Sequence, residues 1–190
     1  KMLDKLLFSD GADDVSFPLR PRRIVADVRK VMGAQDILCL DNGIYKLWFS
    51  RHYKTHSIGT FLLDNALATM GAGLPMAMAA KMVNPGKKVL AVAGDGGFMM
   101  NSQELETAVR YKIPVVILLL NDNAFGFIKW KQEGMKFGNF GMDLGNPDFV
   151  KYAESYGAFG LKVKKADELL PALEKGFKLA EKEKRPVLIE

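Results

Sequence analysis

The sequence predicts an α/β protein, with a doubly wound and mostly parallel sheet that carries helices on both faces. The first observation is that short continuous apolar runs, at residues 89–93 and 115–120, alternate with stretches of helical periodicity such as 102–110. Continuous apolar runs are typical of parallel strands that are buried on both faces. The second observation is that this alternation continues along the chain without any repeat, which favours one domain.

The same signals place the individual elements in order. Residues 1–20 lack strong periodicity and are interpreted as a linker or the end of a preceding region, and residues 21–190 as the domain. Apolar periodicity predicts helices over 22–32, 44–53, 71–82, 102–110, 126–132, 146–157 and 167–181. Short apolar runs predict strands over 37–40, 89–93, 115–120, 159–163 and 186–190. Residues 134–146 are glycine-rich and are predicted to form a mobile lid, after which Asn146 caps the next helix.

Composition and charge argue against several classes of protein. The chain has 190 residues, of which 48% are hydrophobic and 26% charged, which is enough for one domain with a sizeable core. No apolar run is long enough to span a bilayer, so no membrane association is expected. The net charge is +5, and the densest run of lysines, over 162–184, is interleaved with acidic residues. This pattern indicates a solvated helix face rather than a nucleic-acid site. The single Cys39 excludes an internal disulfide and fits a reducing cytoplasm.

Two aspartates stand just beyond predicted strands, where parallel sheets bind their ligands. Asp95 follows the run that ends at residue 93, and Asp122 follows the run that ends at residue 120. If the two strands are neighbours, both carboxylates meet at one edge of the sheet. Mg²⁺ prefers such oxygen ligands together with phosphate oxygens. We therefore predict a magnesium site formed by Asp95, Asp122 and the backbone carbonyl of Ala124.

Glycines and helix starts at the same edge predict a neighbouring anion site. Gly94, Gly96 and Gly97 allow the backbone to come close to an anion. Helices predicted to start near Asn101 and after Gly126 would point their N-termini at this edge, and helix N-termini attract phosphate. Because two carboxylates balance one Mg²⁺, the N–H groups would hold the remaining charge of the phosphate.

The order of these residues resembles a known cofactor-binding signature. Gly94-Asp95-Gly96, followed along the chain by Asn121-Asp122, is similar to the thiamin-diphosphate signature, GDG and then N-[ND]. The whole stretch resembles the acetolactate synthases, and GGFMMNSQELETA before NDN is similar to their catabolic, FAD-independent type. The resemblance runs from residue 18 to residue 190 and implies the C-terminal, diphosphate-binding domain of a thiamin-diphosphate enzyme.

The resemblance also implies roles for single residues. Residues 60–73 resemble the segment that grips the aminopyrimidine ring, with backbone contacts from Ala68 and Met70 and the Met70 side chain under the bend between the two rings. Tyr45 stands where the family borders the diphosphate and where some relatives have histidine. The other implied cofactor contacts are Gly94, Gly96, Gly97, Asn121, Ala124, Phe125 and Gly126. Phe127 and Trp130 are candidates for the substrate channel, with a place in the core as the open alternative.

The implied activity is the joining of two pyruvates to acetolactate with loss of CO₂, with thiamin diphosphate and Mg²⁺ as cofactors. In that family the activating glutamate lies on a pyrimidine-binding domain of a second subunit, so no catalytic residue is assigned to this chain. We therefore expect half an active site, inactive alone, from a homodimer or homotetramer.

Several alternatives stay open. The chain is expected to be a fragment of a longer enzyme, or else a naturally split subunit. The enzyme could be another thiamin-diphosphate-dependent 2-oxoacid decarboxylase or carboligase, such as glyoxylate carboligase. A non-catalytic module on the same fold is the third alternative.

Overall fold

The structure is a computed structural model that describes residue 11 and residues 13–190. The predicted linker, residues 1–20, therefore lies partly outside the described residues, and the boundary at residue 21 stays a prediction. Between residue 13 and the first helix, the described chain forms neither helix nor strand.

Helices and strands alternate along the described chain largely as the apolar pattern predicts. The helices are α1 (Pro21–Val31), α2 (Tyr45–His52), α3 (Gly73–Val83), α4 (Asp95–Met100), α5 (Glu104–Arg110), α6 (Gly126–Gly134), α7 (Phe149–Ser155) and α8 (Leu169–Glu183), with a 3₁₀ turn at Ala166–Glu168. The strands are β1 (Ile37–Leu40), β2 (Phe61–Leu63), β3 (Val89–Gly94), β4 (Val116–Leu120), β5 (Phe159–Leu161) and β6 (Val187–Ile189). Within the described residues, no helix combines the length and apolar character that crossing a membrane requires.

The strands of the described chain form one six-stranded sheet in the order β2-β1-β3-β4-β6-β5. Every neighbouring pair is parallel, so the predicted doubly wound parallel sheet is confirmed. The strand order reverses at β1, with β2 on one side and β3 on the other, and open α/β sheets bind ligands beyond such a switch point. Gly94 of β3 is level with Leu120 of β4, so the segments that follow these two strands leave the sheet side by side.

Alternate residues of each strand pack on opposite faces of the sheet. Leu90 of β3 and Leu118 of β4 belong to one core, together with residues of α1, α2 and α8. Ala91 and Ile117 belong to the other core, together with residues of α3, α4, α5 and α7. Because both faces are covered by helices, the strands appear in the sequence as unbroken apolar runs.

One helix beside the site, α4, was not predicted from the sequence. α4 begins at Asp95, directly after β3, whereas the helix predicted over 102–110, with its start near Asn101, is α5, which begins at Glu104. Glycine is a poor helix former, which favours a turn over residues 94–97. In the structure Gly96 and Gly97 instead lie in the first turn of α4, and Asn101, with φ −135°, ends that helix.

β2 and the start of α7 also differ from the predictions. β2 has three half-buried residues at the edge of the sheet, too few to produce an apolar pattern. The cap of α7 is Asp148 rather than Asn146, since Oδ1 of Asp148 accepts from the N–H groups of Val150 (3.1 Å) and Lys151 (3.2 Å). The side chain of Asn146 has other partners, which belong to the site described next.

Candidate cofactor and metal site

A cavity of about 630 Å³ lies at the carboxyl ends of β1, β3 and β4. The predicted site residues that line it are Tyr45, Ala68, Met70, Gly94, Gly96, Gly97, Asn121, Asp122, Ala124, Phe125, Gly126 and Phe127. Folding therefore brings together residues that are far apart in the sequence.

Asp95 and Asp122, which are called the acidic pair below, follow the paired ends of β3 and β4. Asp95 is 1% exposed, whereas Asp122 keeps contact with solvent and lines the cavity. Loss of surrounding water raises the pKa of Asp122, and the negative charge of Asp95 raises it further, while the N–H of Ala124 opposes the shift. Two carboxylates that repel each other in this way would be stabilised by a cation between them.

The acidic pair suits one class of cation. Among the described residues, no group of three or more His, Cys, Asp or Glu side chains could hold a metal ion. A cation at Asp95 and Asp122 would thus need further oxygens from the backbone, from a ligand or from water. Mg²⁺ is commonly bound in this way, by one or two carboxylates and the phosphates of its partner ligand.

Two of the glycines are required by aromatic rings that line the cavity. A Cβ at Gly94 would lie 2.9 Å from Cε1 of Tyr45, and a Cβ at Gly96 would lie 2.6 Å from Cε1 of Phe125. The sequence predicts these glycines from the approach of an anion to the backbone. The structure gives a second reason, which is the close packing of the two rings on that backbone.

Two more glycines lie against carboxylates. A Cβ at Gly97 would lie 2.5 Å from Oδ2 of Asp41, and a Cβ at Gly126 would lie 2.6 Å from Oδ2 of Asp122. Gly126 is the first residue of α6, so the start of this helix and the carboxylate of Asp122 are in direct contact. A side chain at either position would displace an acidic group of the site.

The hydroxyl group of Tyr45 is buried in the wall of the cavity. The residue is 8% exposed, and its oxygen has no hydrogen-bond partner of normal geometry among the described residues. Burial raises the pKa of Tyr45, and the nearby carboxylate of Asp41 raises it further, while the approach of the Gly94 N–H lowers it. Tyr45 is therefore a neutral donor, and a buried donor without a partner is costly unless a ligand provides one.

Asp41 and Asn42, which sequence reasoning did not select, hold the loop that follows β2. The N–H of Gly71 donates to Oδ1 (3.0 Å) and Oδ2 (3.1 Å) of Asp41. The side-chain amide of Asn42 donates to the carbonyl oxygens of Asp64 (3.0 Å) and Thr69 (2.9 Å). The signal for this role was the Asp-Asn-Gly that directly follows the first strand.

The same loop carries Ala68 and Met70. Ala68 has φ 51°, a left-handed conformation that is uncommon for alanine and that a surrounding structure must stabilise. The side-chain amide of Asn101 donates to the carbonyl oxygen of Gly71 at 2.9 Å and so ties the loop to the end of α4. The backbone at Ala68 and Met70 is thus held in the wall of the cavity.

Asn146, which the sequence predicts as a helix cap, contacts the residues around Asp95 instead. Its side-chain nitrogen lies 2.6 Å from Oδ2 of Asp95, 3.0 Å from Oδ1 of Asn121 and 3.2 Å from Oδ1 of Asn123. The segment predicted to be a lid, residues 134–146, therefore ends in contact with Asp95.

Phe127 and Trp130 occupy different places relative to the cavity. Phe127 lines it, whereas Trp130 is not among the lining residues and is 53% exposed. The two rings stack with their centroids 5.7 Å apart. The role of both residues in a substrate channel stays a prediction.

The polar and apolar groups of the cavity fit an organic diphosphate that is bound together with a divalent cation. The acidic pair would hold the cation, the buried Tyr45 hydroxyl needs an acceptor, and apolar side chains such as Met70 and Phe127 would face an organic group. This is the class of site that the fold and its polar groups define.

Comparison with known proteins identifies the family. The family described as thiamine pyrophosphate enzyme, C-terminal TPP binding domain, matches residues 41–190. The chain belongs to this family, and thiamine pyrophosphate is the compound named thiamin diphosphate above.

Individual relatives agree with this assignment. The chain is 38% identical to acetolactate synthase of Bacillus subtilis (strain 168), over 87% of this chain and 29% of that protein. It is 35% identical to the catabolic acetolactate synthase of Raoultella terrigena, over 89% of this chain and 30% of that protein. The resemblance to acetolactate synthases is thereby confirmed, and the chain spans less than a third of the length of these two relatives.

A solved structure extends the likeness to another reaction. The thiamine diphosphate-dependent 4-hydroxybenzoylformate decarboxylase of Rhodococcus jostii RHA1 matches with a TM-score of 0.86 and 29% identity. The match covers 96% of this chain and 34% of that chain. The fold and the cofactor class are therefore shared between enzymes of different reactions.

Proposed function

We propose that this chain is the cofactor-binding part of an acetolactate synthase-like carboligase, which joins two pyruvates to acetolactate with loss of CO₂. The observation that carries the proposal is that Asp95 and Asp122 follow the paired ends of β3 and β4, and that Asp122 lines the same cavity as Ala68 and Met70. The identity of 38% to an acetolactate synthase supports this reaction.

In this proposal each part of the cavity has one task. Asp95, Asp122 and the carbonyl oxygen of Ala124 would hold Mg²⁺, and the hydroxyl of Tyr45 would donate to the diphosphate. Thiamin diphosphate, when bound, supplies the electron sink for decarboxylation of a 2-oxoacid. Met70 would hold the bend of the cofactor, and Phe127 would exclude water beside the substrate.

The groups that activate the cofactor would come from outside this chain. No catalytic acid is assigned to this chain, so we expect the activating glutamate on a pyrimidine-binding domain of a second subunit. The site would then be complete only in a homodimer or larger assembly, and this chain would be inactive alone. The buried, unpaired Cys39 fits a cytoplasmic enzyme.

A different 2-oxoacid reaction is the second candidate. The structural likeness to a 4-hydroxybenzoylformate decarboxylase favours it, because that thiamine diphosphate-dependent enzyme contains the same fold and acts on a different 2-oxoacid. Product analysis of the full polypeptide with pyruvate, glyoxylate or benzoylformate separates the candidates. Acetolactate from pyruvate is the expected product, and turnover of only another acid would replace the proposed reaction.

The binding half of the proposal is tested by calorimetric titration with thiamin diphosphate, with and without Mg²⁺. We expect binding that requires Mg²⁺ in the natural sequence and that is lost in Asp95→Ala. Glu174→Ala, which changes an exposed carboxylate on α8, is the matched control and should bind normally. Undiminished binding by Asp95→Ala would contradict the assigned metal ligand.

A further inference from the structure

We propose that Asn146 is a positioning residue that holds the carboxylate of Asp95 in the orientation that a divalent cation requires. This inference rests on the proposed function, because it assigns the cation to Asp95 and Asp122. It concerns a residue that lies 51 positions beyond Asp95 in the sequence.

The contacts of Asn146 converge on the acidic end of the cavity. Its single amide nitrogen lies within 3.2 Å of three oxygens, which belong to Asp95, Asn121 and Asn123. A side-chain amide has two N–H donors, so three acceptors share two protons. The shortest contact, 2.6 Å, is the one to the charged oxygen of Asp95, as expected for a charge-assisted hydrogen bond.

These contacts are not needed to form the helix that follows. Asp148 caps α7 by accepting from the N–H groups of Val150 and Lys151. An asparagine two residues earlier therefore contributes nothing to that cap. The amide of Asn146 instead fixes Oδ2 of Asp95, so that the rest of this carboxylate can face Asp122 and a cation.

The backbone before Asn146 is fastened in a way that delivers the amide to this place. The N–H of Phe125 donates to the carbonyl oxygen of Met142 (2.8 Å), and the N–H of Leu144 donates to that of Asn123 (2.7 Å). The ion pair of Lys129 with Asp143, at 3.0 Å, joins the same segment to α6. Residues 142–144 thus run alongside the loop that carries Asp122 and Ala124.

A side chain that holds a metal-binding carboxylate by a hydrogen bond influences the affinity of the site for the metal. A carboxylate that binds a metal is itself commonly hydrogen-bonded, and loss of that partner typically costs about 10- to 100-fold in metal affinity. We therefore expect removal of the Asn146 amide to weaken the binding of the cation. The contacts of the protein with the diphosphate and the rings of the cofactor should stay in place.

The test compares Asn146→Ala with Asp148→Ala in the full polypeptide that carries this chain. Thiamin diphosphate binding is titrated with Mg²⁺, and the half-saturating Mg²⁺ concentration and the binding stoichiometry are both recorded. For Asn146→Ala we expect the half-saturating concentration to rise about 10- to 100-fold, with full stoichiometry at saturating Mg²⁺. Asp148→Ala weakens the neighbouring helix cap and should leave the Mg²⁺ requirement unchanged.

The possible outcomes separate this inference from the proposed function. An unchanged half-saturating Mg²⁺ concentration in Asn146→Ala overturns the positioning role, while the metal site itself stands. An equal rise in Asp148→Ala, or a loss of stoichiometry without a change of affinity, also overturns it, since a folding defect would then be sufficient. Failure of the natural sequence to bind the cofactor with Mg²⁺ overturns the proposed function as well.

Discussion

The N–H of Gly71 donates to both carboxylate oxygens of Asp41, at 3.0 and 3.1 Å, and so joins the end of β1 to the loop that carries Ala68 and Met70. Asp41 is 1% exposed, and burial raises its pKa, while the N–H groups of residues 42 and 71–73 lower it. A buried acceptor that serves several backbone donors is difficult to replace. The shape of this loop, which lines the cavity, thus depends on one carboxylate.

Asp41→Asn is expected to lower the free energy of unfolding by about 1–3 kcal/mol. The variant replaces one acceptor oxygen by an NH₂ group, which would face the backbone donors without a partner. Urea unfolding measures the loss, and faster amide hydrogen exchange at Gly71 would locate it. Glu174→Gln, an exposed neutralisation on α8, should change the free energy of unfolding by no more than about 0.5 kcal/mol. Equal stability of Asp41→Asn and the natural sequence would show that the loop is held by other contacts.

Gly126→Ala should separate stability from metal binding. The new Cβ would lie 2.6 Å from Oδ2 of Asp122, which can rotate away, but only by leaving its place in the acidic pair. Because the new methyl group would meet the movable end of a side chain at the first residue of α6, we expect little or no loss of thermal stability. Binding of thiamin diphosphate at limiting Mg²⁺ should be weaker.

Gly134→Ala provides the matched control at the other end of α6. No atom lies within 4 Å of a Cβ at Gly134, so this variant adds the same methyl group without a collision. It should bind the cofactor as the natural sequence does. A similar loss of binding in both variants would mean that α6 itself, rather than Asp122, is sensitive to the change.

Tyr45→Phe is expected to have opposite effects on the free and the bound protein. In the free protein the variant removes a buried hydroxyl without a partner, so the free energy of unfolding should stay constant or rise by about 1 kcal/mol. If this hydroxyl donates to the diphosphate, cofactor affinity should fall about tenfold, the equivalent of one such hydrogen bond. Thermal unfolding with and without cofactor and Mg²⁺ measures both effects. Unchanged affinity would remove Tyr45 from the binding site.

The buried thiol of Cys39 should make the fold less stable at alkaline pH. Burial raises the pKa of its thiol from an ordinary value of 9.0 to about 12. A raised pKa gives stability that is fully present below the pKa of the unfolded chain and is lost as the pH rises from 9 towards 12. Between pH 8 and pH 10.5 this loss amounts to about 2 kcal/mol, at ~1.4 kcal/mol for each pH unit above 9.

The measurement is urea unfolding at both pH values for the natural sequence and for Cys39→Ala. The buried tyrosines titrate in both proteins, so the difference between the two pH dependences reports Cys39. We expect the variant to be less stable at pH 8, because it leaves a small cavity, but to lose less stability on going to pH 10.5. Parallel pH dependences would show that the thiol does not ionise on unfolding in this range.

The sequence by itself determined the fold class and the position of Asp95 and Asp122 just beyond two strands. Unbroken apolar runs such as 115–120 predict parallel strands, because both faces of such a sheet exclude water. Asp95 and Asp122 could be placed at one edge for the same reason, since each follows the carboxyl end of a strand. Both inferences use only neighbours along the chain, and the motif that links these aspartates led to the family.

The tertiary structure alone decided which side chains meet Asp95 and the loop after β2. Asn146 meets Asp95 only because residues 142–144 pair with the loop after β4, and no local pattern contains that pairing. The same holds for Asp41, whose partner Gly71 lies 30 residues further along the chain. The physical reason is that side-chain hydrogen bonds between loops depend on strand order and backbone register. Apolar periodicity specifies which face of an element is buried, but not which loops meet above the sheet.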